Sequence, residues 1–312
     1  MTVPEPPARI LVIKLGALGD IVLALGPFAA IRWAHPDAYI TLLTTRPYVD
    51  FLKPSLYFND FWEDDRPSLI QLSRWWALRR RLRGGRFDKV YDLQTSDRSG
   101  WYFRLMGPGA RPQWSGIARG CSHPHANPRR DFMHSIERQK EQMAMADISH
   151  VPDTDLSWVA APIDRFGLGD RFCLLVPGGA PHRPAKRWPA ATYGALAAKL
   201  NADGIQPVIL GTAGETPLAA AIRGICGDAL DLTGQTSLAE IAALGRAAGG
   251  AVGNDTGPMH MIAAAGCPSI VLFSGVSDPS LTAPRGPQTT ILQCGSLVDL
   301  KLDEVAAALS LR

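Results

Sequence analysis

No two cysteines stand at a redox or metal-binding spacing. Cys121, Cys173, Cys226, Cys267 and Cys294 are scattered along the chain. An odd, scattered set argues against a disulfide scaffold and reads as reduced thiols in a cytoplasmic protein. Long apolar runs are missing as well. The longest, Ile21 to Ile31, has 11 residues and stops at Arg32, whereas a membrane helix needs about 20. The first nine residues, MTVPEPPAR, have no apolar core and no cation before Arg9. They read as a short proline-rich tail and not as a signal peptide. No zinc-finger, RNA-recognition or helix-turn-helix pattern appears, and the net charge is only +3, so nucleic acid is not an expected partner.

What is present is ordinary globular composition. The 312 residues are 46% hydrophobic and 20% charged, which excludes a disordered chain. The length favours two domains, each large enough for its own core. The charge is uneven. Residues 1–160 hold 21 Lys and Arg against 17 Asp and Glu, and 17 of those cations are Arg. Residues 161–312 hold 11 against 12. The guanidinium fork suits carboxylate and phosphate oxygens, so the first half has the character of a surface that meets an anion. Solvated Arg on helix faces explains the same composition.

The segment RWWALRRRLRGGR (74–86) looks like a basic membrane-surface helix. At about 100° per residue, Leu69, Leu72, Trp75, Trp76 and Leu82 share a face, but Arg79 and Arg83 fall on it too. A docked helix with snorkelling Arg is the simpler expectation.

Short apolar strands alternate with helical patterns. RILVIK (9–14), AYITLLT (38–44) and DKVYD (88–92) read as strands in the first half. Helices are expected at 20–34, 68–83, 97–106 and 134–147. Residues 148–170, rich in Pro, Gly and Asp, read as a linker. The alternation then restarts: strands FCLLV (172–176), QPVIL (206–210), GAVG (250–253) and SIVLF (269–273), with helices at 190–200, 215–225, 237–247 and from 256. This is an α/β protein with two doubly wound, Rossmann-like parallel sheets. The expected domains are 1–160 and 161–299, followed by an amphipathic tail helix in 300–312. Ligands of such sheets bind at strand carboxyl ends, and two such sheets facing each other would form an interdomain cleft.

The motifs with chemistry in them all follow strands. In Lys14-Leu-Gly16-Ala-Leu-Gly19-Asp20, two glycines permit a tight turn. GxGxxG is absent, strand two ends in Thr44-Thr45-Arg46 with no ribose-binding acid, and no Gly-Lys-Ser/Thr follows. A dinucleotide oxidoreductase and a P-loop enzyme are therefore disfavoured. Asp20 is either a helix N-cap or a carboxylate placed to take a proton from a substrate hydroxyl. The stretch from Pro177 to Pro189 combines glycines with His182, Arg183, Lys186 and Arg187, which suits phosphate contacts or is a loop of solvated cations. In Gly253-Asn-Asp255-Thr256-Gly257-Pro258-Met-His260, free N–H groups at a helix start can hold a diphosphate. His260 lies one turn in, where a packed histidine is the usual finding. Asp255 as N-cap would compete with a phosphate for the same donors. Glu215, after Gly211-Thr-Ala-Gly, is an acid at a strand end. His123 and His125 form an HxH without a further ligand at sensible spacing, so no metal site is expected. Together these loops describe a nucleotide-diphosphate site in the second half and an Asp base in the first.

Five blocks in this order resemble the ADP-heptose:lipopolysaccharide heptosyltransferases, glycosyltransferase family 9, of GT-B fold. They are ILVIKLGALGDIVLALG (10–26), VYDLQTSDRS (90–99), LLVPGGAPHRPAKRWP (174–189), VILGTAGE (208–215) and GNDTGPMHMIAAAGCPSIVLF (253–273). The resemblance implies an inverting transfer of heptose or a similar sugar from an ADP-sugar, with Asp20 as general base, and a tail helix in 300–312 that packs back on the first domain. It implies that Lys14 helps hold an anionic acceptor and that Arg98, after the D-x-Q motif, supplies a cation. It assigns Lys186 to the donor diphosphate, Asp255, Thr256, Gly257 and His260 to the donor-binding helix start, and Glu215 to the nucleoside or sugar. No cofactor or metal is implied, since Lys and helix N–H groups neutralise the leaving group. The implied acceptor is an anionic lipopolysaccharide core at the inner face of the inner membrane, met from the cytoplasm with peripheral contact.

The chain departs from the family pattern at Leu15-Gly16-Ala17, at Pro181-His182 and in 116–138, where Arg119, Arg129, Arg130 and Arg138 stand. Arg119 is taken as an acceptor contact. These departures touch the acceptor more than the reaction. Two other readings are a protein O-heptosyltransferase of the same fold and a non-catalytic nucleotide-sugar-binding module.

Overall fold

The computed structural model describes residues 6–68, 70–107, 111–179 and 183–312. Leu69 and His182, which entered the sequence reading, lie outside them. The chain divides into two units, one ending at Thr154 and the other running from Asp155 to Arg312. The division falls inside the expected linker, a few residues before the expected boundary.

The first unit contains strands β1 (Arg9–Ile13), β2 (Tyr39–Thr44), β3 (Asp60–Glu63), β4 (Lys89–Asp92), β5 (Gln113–Gly116) and β6 (His123–Pro124). Its helices are α1 (Leu18–Val22), α2 (Leu25–Ala34), α3 (Arg46–Leu52), α4 (Leu72–Gly84), α5 (Asp97–Met106) and α6 (Ser135–Ala144). The second unit contains β7 (Phe172–Val176), β8 (Gln206–Ile209), β9 (Leu230–Asp231), β10 (Gly250–Asn254), β11 (Ser269–Ser274) and β12 (Thr289–Cys294). Its helices are α7 (Ala190–Ala202), α8 (Thr216–Arg223), α9 (Leu238–Ala247), α10 (Gly257–Ala264), α11 (Pro279–Thr282) and α12 (Leu302–Ala308).

Every strand pairing is parallel. The sheet orders are β3-β2-β1-β4-β5-β6 and β12-β11-β10-β7-β8-β9. Renumbered within its unit and read from the other edge, the second order repeats the first. Both are the doubly wound order, in which the strand order reverses between the first and fourth strands. That reversal opens a crevice at the strand carboxyl ends, here between β1 and β4 and between β7 and β10.

The central strands are continuous apolar runs because helices cover both sheet faces. β1 pairs Val12 with Leu42 on one side and Tyr91 on the other. In the second unit, Leu175, Tyr193, Leu196, Ile209, Val252 and Leu272 share one core. The single helix expected over 20–34 is interrupted after Val22 and resumes at Leu25. The strands not anticipated, β3, β5, β6, β9 and β12, are short or lie toward the edges, where a half-exposed strand carries little hydrophobic signal.

The tail helix docks within the second unit. α12 packs against α7, and Val305 is buried in the core of the second unit, with Leu302, Ala306 and Leu309 against it. Arg312 continues this docking, donating to the carbonyls of Ala248 at 3.0 Å and Gly245 at 3.3 Å. The apolar face of the tail is therefore satisfied by the second unit itself.

Candidate functional site

The loop after β1 is held from three sides. Leu15 N–H donates to Gln94 Oε1 at 2.8 Å. The Leu15 carbonyl accepts from Thr45 Oγ1 at 3.2 Å and from the Arg66 guanidinium. Gly16 has φ +106°, and a Cβ there would sit 2.6 Å from the Tyr48 ring. Only glycine tolerates both the dihedral and the contact.

Asp20 is not an N-cap. It is the third residue of α1, and its Oδ2 reaches back to accept the Ala17 N–H at 3.0 Å. Its Oδ1 lies 3.8 Å from Lys14 Nζ, and the carboxylate is 41% exposed. The carboxylate is thus anchored without being enclosed. Lys14 is buried, donates to the Leu93 carbonyl at 3.0 Å, and is held below the usual lysine pKa by burial, an effect opposed by Asp20.

A second carboxylate lies behind Lys14. Asp92 ends β4, is fully buried, and accepts the N–H groups of Gln94 at 3.1 Å and Thr95 at 3.0 Å. Burial pushes its pKa up to about 6, because desolvation penalises the charged form. Asp92 shapes the turn that presents Gln94, and Gln94 holds Leu15, so the D-x-Q turn and the β1 loop are one hydrogen-bonded assembly at the first reversal point.

Beside this assembly is a cavity of about 550 Å³ lined by Leu15, Thr45, Tyr48, Arg66, Gln94 and Arg98, among others. Arg98 faces it while donating to the Pro67 carbonyl at 3.4 Å and stacking 5.8 Å from the Trp75 ring. Arg119 lines a different cavity, of about 310 Å³, with Trp101 and Arg104. The candidate acceptor contacts Lys14, Arg98 and Arg119 therefore do not share one pocket; Ser96 lines both cavities. Arg66, Tyr48 and Gln94 were not singled out from the sequence. Gln94 stands inside the motif that carried the resemblance, whereas Arg66 and Tyr48 had no local signal. His125 is buried with Nε2 3.1 Å from Glu141, while Nδ1 of His123 meets Ser122 at 2.9 Å, so the HxH histidines turn to different partners.

The second reversal point is built around Asn254. This buried side chain donates to the carbonyls of Pro177 at 2.8 Å and Gly178 at 3.0 Å. Its Oδ1 accepts from Trp188 N–H at 3.0 Å and Tyr193 hydroxyl at 3.2 Å. One carboxamide thus ties the glycine loop after β7 to β10 and α7. Glu215 holds the same loop from the other side: Oε1 accepts Gly179 N–H at 3.0 Å and Oε2 accepts Thr212 N–H at 2.7 Å. A Cβ on Gly178 would meet Glu215 Oε1 at 1.8 Å, so a side chain there would push the carboxylate off the loop.

Lys186 Nζ lies 2.6 Å from Asp255 Oδ2, both side chains largely buried. Asp255 therefore pairs with a lysine and does not cap α10. The cap residue is Thr256, in extended backbone and without a side-chain cap bond. The competition expected between a capping Asp255 and a phosphate does not arise. Gly257 opens α10 with Pro258, and His260 is buried one turn in. The second unit thus gathers Lys186, Asp255, Thr256, Gly257 and His260 around one helix start, with Glu215 on the adjoining loop.

The D-x-Q turn and the second reversal point lie within residues 75–301, the stretch that matches the glycosyltransferase family 9 (heptosyltransferase) model, while the β1 loop and its partners Thr45, Tyr48 and Arg66 precede it. The chain belongs to glycosyltransferase family 9. Like other members it is an enzyme, a glycosyltransferase. Lipopolysaccharide heptosyltransferase 2 of Escherichia coli is 35% identical over 91% of this chain and 88% of that protein. Lipooligosaccharide heptosyltransferase 2 of Haemophilus influenzae is 33% identical over 43% of this chain, a match that spans only 40% of that relative. The solved structure of E. coli ADP-heptose lps heptosyltransferase II shares the GT-B fold, with a TM-score of 0.74 and 22% identity over 96% of this chain and 98% of that one. No helix of the described residues is long and apolar enough to cross a membrane.

Proposed function

We propose that this family 9 glycosyltransferase transfers heptose, or a closely similar sugar, from an ADP-sugar to an anionic lipopolysaccharide-core acceptor with inversion at the anomeric carbon. The observation that carries this reading is Asp20, anchored by one oxygen on Ala17 N–H, beside Lys14 and half open to solvent. Asp20 takes the proton of the acceptor hydroxyl. The freed oxygen attacks the anomeric carbon as the bond to the diphosphate breaks and ADP leaves. Lys14, 3.8 Å from Asp20, adds positive charge for an anionic acceptor. Arg98, in the cavity wall, and Arg119, in the neighbouring pocket, supply further cations.

The donor belongs to the second unit. Lys186 and the uncapped N–H groups opening α10 at Thr256 and Gly257 take the diphosphate charge. Asp255 keeps Lys186 extended toward that helix start, His260 supports it from the first turn, and Glu215 sets the glycine loop near the nucleoside or sugar. This division of labour needs no cofactor or metal. The relative named for ADP-heptose supports the choice of donor, and relatives named for lipopolysaccharide and lipooligosaccharide support the choice of acceptor. The reading places the enzyme in the cytoplasm, working at the inner membrane face. A screen of ADP-, UDP- and GDP-sugars against core acceptors, read by nucleotide release, tests it: ADP release dependent on a Kdo- or phosphate-bearing acceptor is expected, and turnover confined to another nucleotide overturns the donor assignment.

A further inference from the structure

Helix α4 combines cations with exposed apolar side chains. Its 13 residues carry five Arg and no acid. The helix splits the apolar stripe read from the sequence. Leu82 is buried, and Trp75 and Leu78 pack on the core of the first unit. Leu72 and Trp76 are instead 68% exposed, and Ile70, just before the helix, is 89% exposed.

The cations divide by their neighbours and not by burial, since Arg74, Arg80, Arg81 and Arg83 are exposed and Arg79 is half-buried. Arg81 stacks 4.4 Å from the Trp62 ring and donates to the Glu63 carbonyl. Arg74 shares a small pocket with Glu63, Asp64 and Asp65. The local acids therefore lie beside Arg74 and Arg81. Arg79 lies 5.5 Å over the Trp76 ring, and among the described residues Arg79, Arg80 and Arg83 form no ion pair. At helical spacing, Leu72, Trp76, Arg79, Arg80 and Arg83 fall on one face. An exposed indole with aliphatic neighbours and unneutralised guanidinium groups matches the interface of an anionic bilayer, where the ring sits at headgroup depth and the cations meet lipid phosphates.

We infer that the exposed face of α4, with Ile70, Leu72 and Trp76 as apolar contacts and Arg79, Arg80 and Arg83 as cations, docks this enzyme on an anionic phospholipid bilayer. The inference rests on this face alone and needs neither donor nor acceptor, so it stands or falls apart from the proposed reaction. The test is co-sedimentation of the full chain with vesicles of phosphatidylethanolamine and phosphatidylglycerol, with phosphatidylcholine vesicles as the reference. Binding to the anionic vesicles and little to the reference is expected, weakening as salt rises. Arg80→Glu with Arg83→Glu is expected to weaken binding by about tenfold or more. Leu72→Ser with Trp76→Ser is expected to weaken it independently, and both variants should keep the parent's thermal unfolding midpoint. Absence of wild-type binding overturns the inference, as does binding unaffected by either variant. Loss with the charge reversals alone marks a polyanion site with no bilayer insertion. A self-association that the Trp76 variant abolishes, seen by sedimentation without vesicles, assigns the face to a second copy; each result overturns the bilayer assignment.

Discussion

The Lys186 ammonium lies 2.6 Å from the Asp255 carboxylate, joining the loop after β7 to the start of α10 across 69 residues. A largely buried pair of this kind places the cation at an uncapped helix start before any ligand arrives. Removing one partner leaves the other charge uncompensated. Lys186→Ala is expected to weaken ADP binding by roughly tenfold or more, the contribution of a charged hydrogen bond. Calorimetry returning the parent affinity would take Lys186 out of the donor site.

Asp20→Asn keeps the size of the side chain and its acceptance of the Ala17 N–H but removes the base. Transfer should fall by roughly a hundredfold or more, while nucleotide affinity stays within a few fold. Steady-state turnover and ADP calorimetry on the same preparation separate the two effects. Undiminished turnover would end the assignment of Asp20 as base.

Asn254→Ala is a structural prediction. It leaves the Pro177 and Gly178 carbonyls and the Trp188 N–H without this partner, while the Tyr193 hydroxyl keeps the Val176 carbonyl at 3.3 Å. Each buried polar group so orphaned costs about 1–3 kcal/mol, less than additively. Chemical denaturation should show a loss of about 2–4 kcal/mol, and a variant as stable as the parent contradicts the clamp.

Asp92 gives a pH dependence with a definite sign. Its folded pKa of about 6 lies above the ordinary carboxylate value of 3.8. Between those values the folded state binds more protons than the unfolded chain, so this group's contribution falls as pH rises through about 6. Asp92→Asn, which retains an oxygen for Gln94 and Thr95, removes that dependence. The variant should gain stability over the parent at pH 8, by up to about 3 kcal/mol, with the difference shrinking toward pH 4. Equal stability profiles across that range would contradict the burial argument.

Much of the architecture was legible locally. β1, β2, β4, β7, β8, β10 and β11 follow from short apolar runs, and α5, α7 and α9 from their periodicity and helix starts. The edge strands were not legible, because a strand such as β9, Leu230–Asp231, is defined by its neighbour and has no pattern of its own. The motif residues Asp20, Lys186, Glu215 and Asp255 stood out because glycines and strand ends mark them. Arg66 and Tyr48 did not, since their relation to the β1 loop exists only after β1 and β2 are side by side.

The sequence by itself determined the α/β alternation, the restart after the linker, the motifs at strand ends and their family resemblance. These are properties of neighbouring residues, written in periodicity and turn chemistry. Tertiary structure alone decided that Asp20 reaches back from the first turn instead of capping it. It also decided that Asp255 pairs with Lys186, that Gln94 holds Leu15, that α12 packs on α7, and that Trp75 turns inward while Trp76 stays in solvent. The Asp20 contact is local, three residues along the chain, and only its geometry tells it from a cap; the others depend on sheet register and helix rotation, which bring distant atoms within hydrogen-bond or van der Waals reach, and local pattern does not encode them.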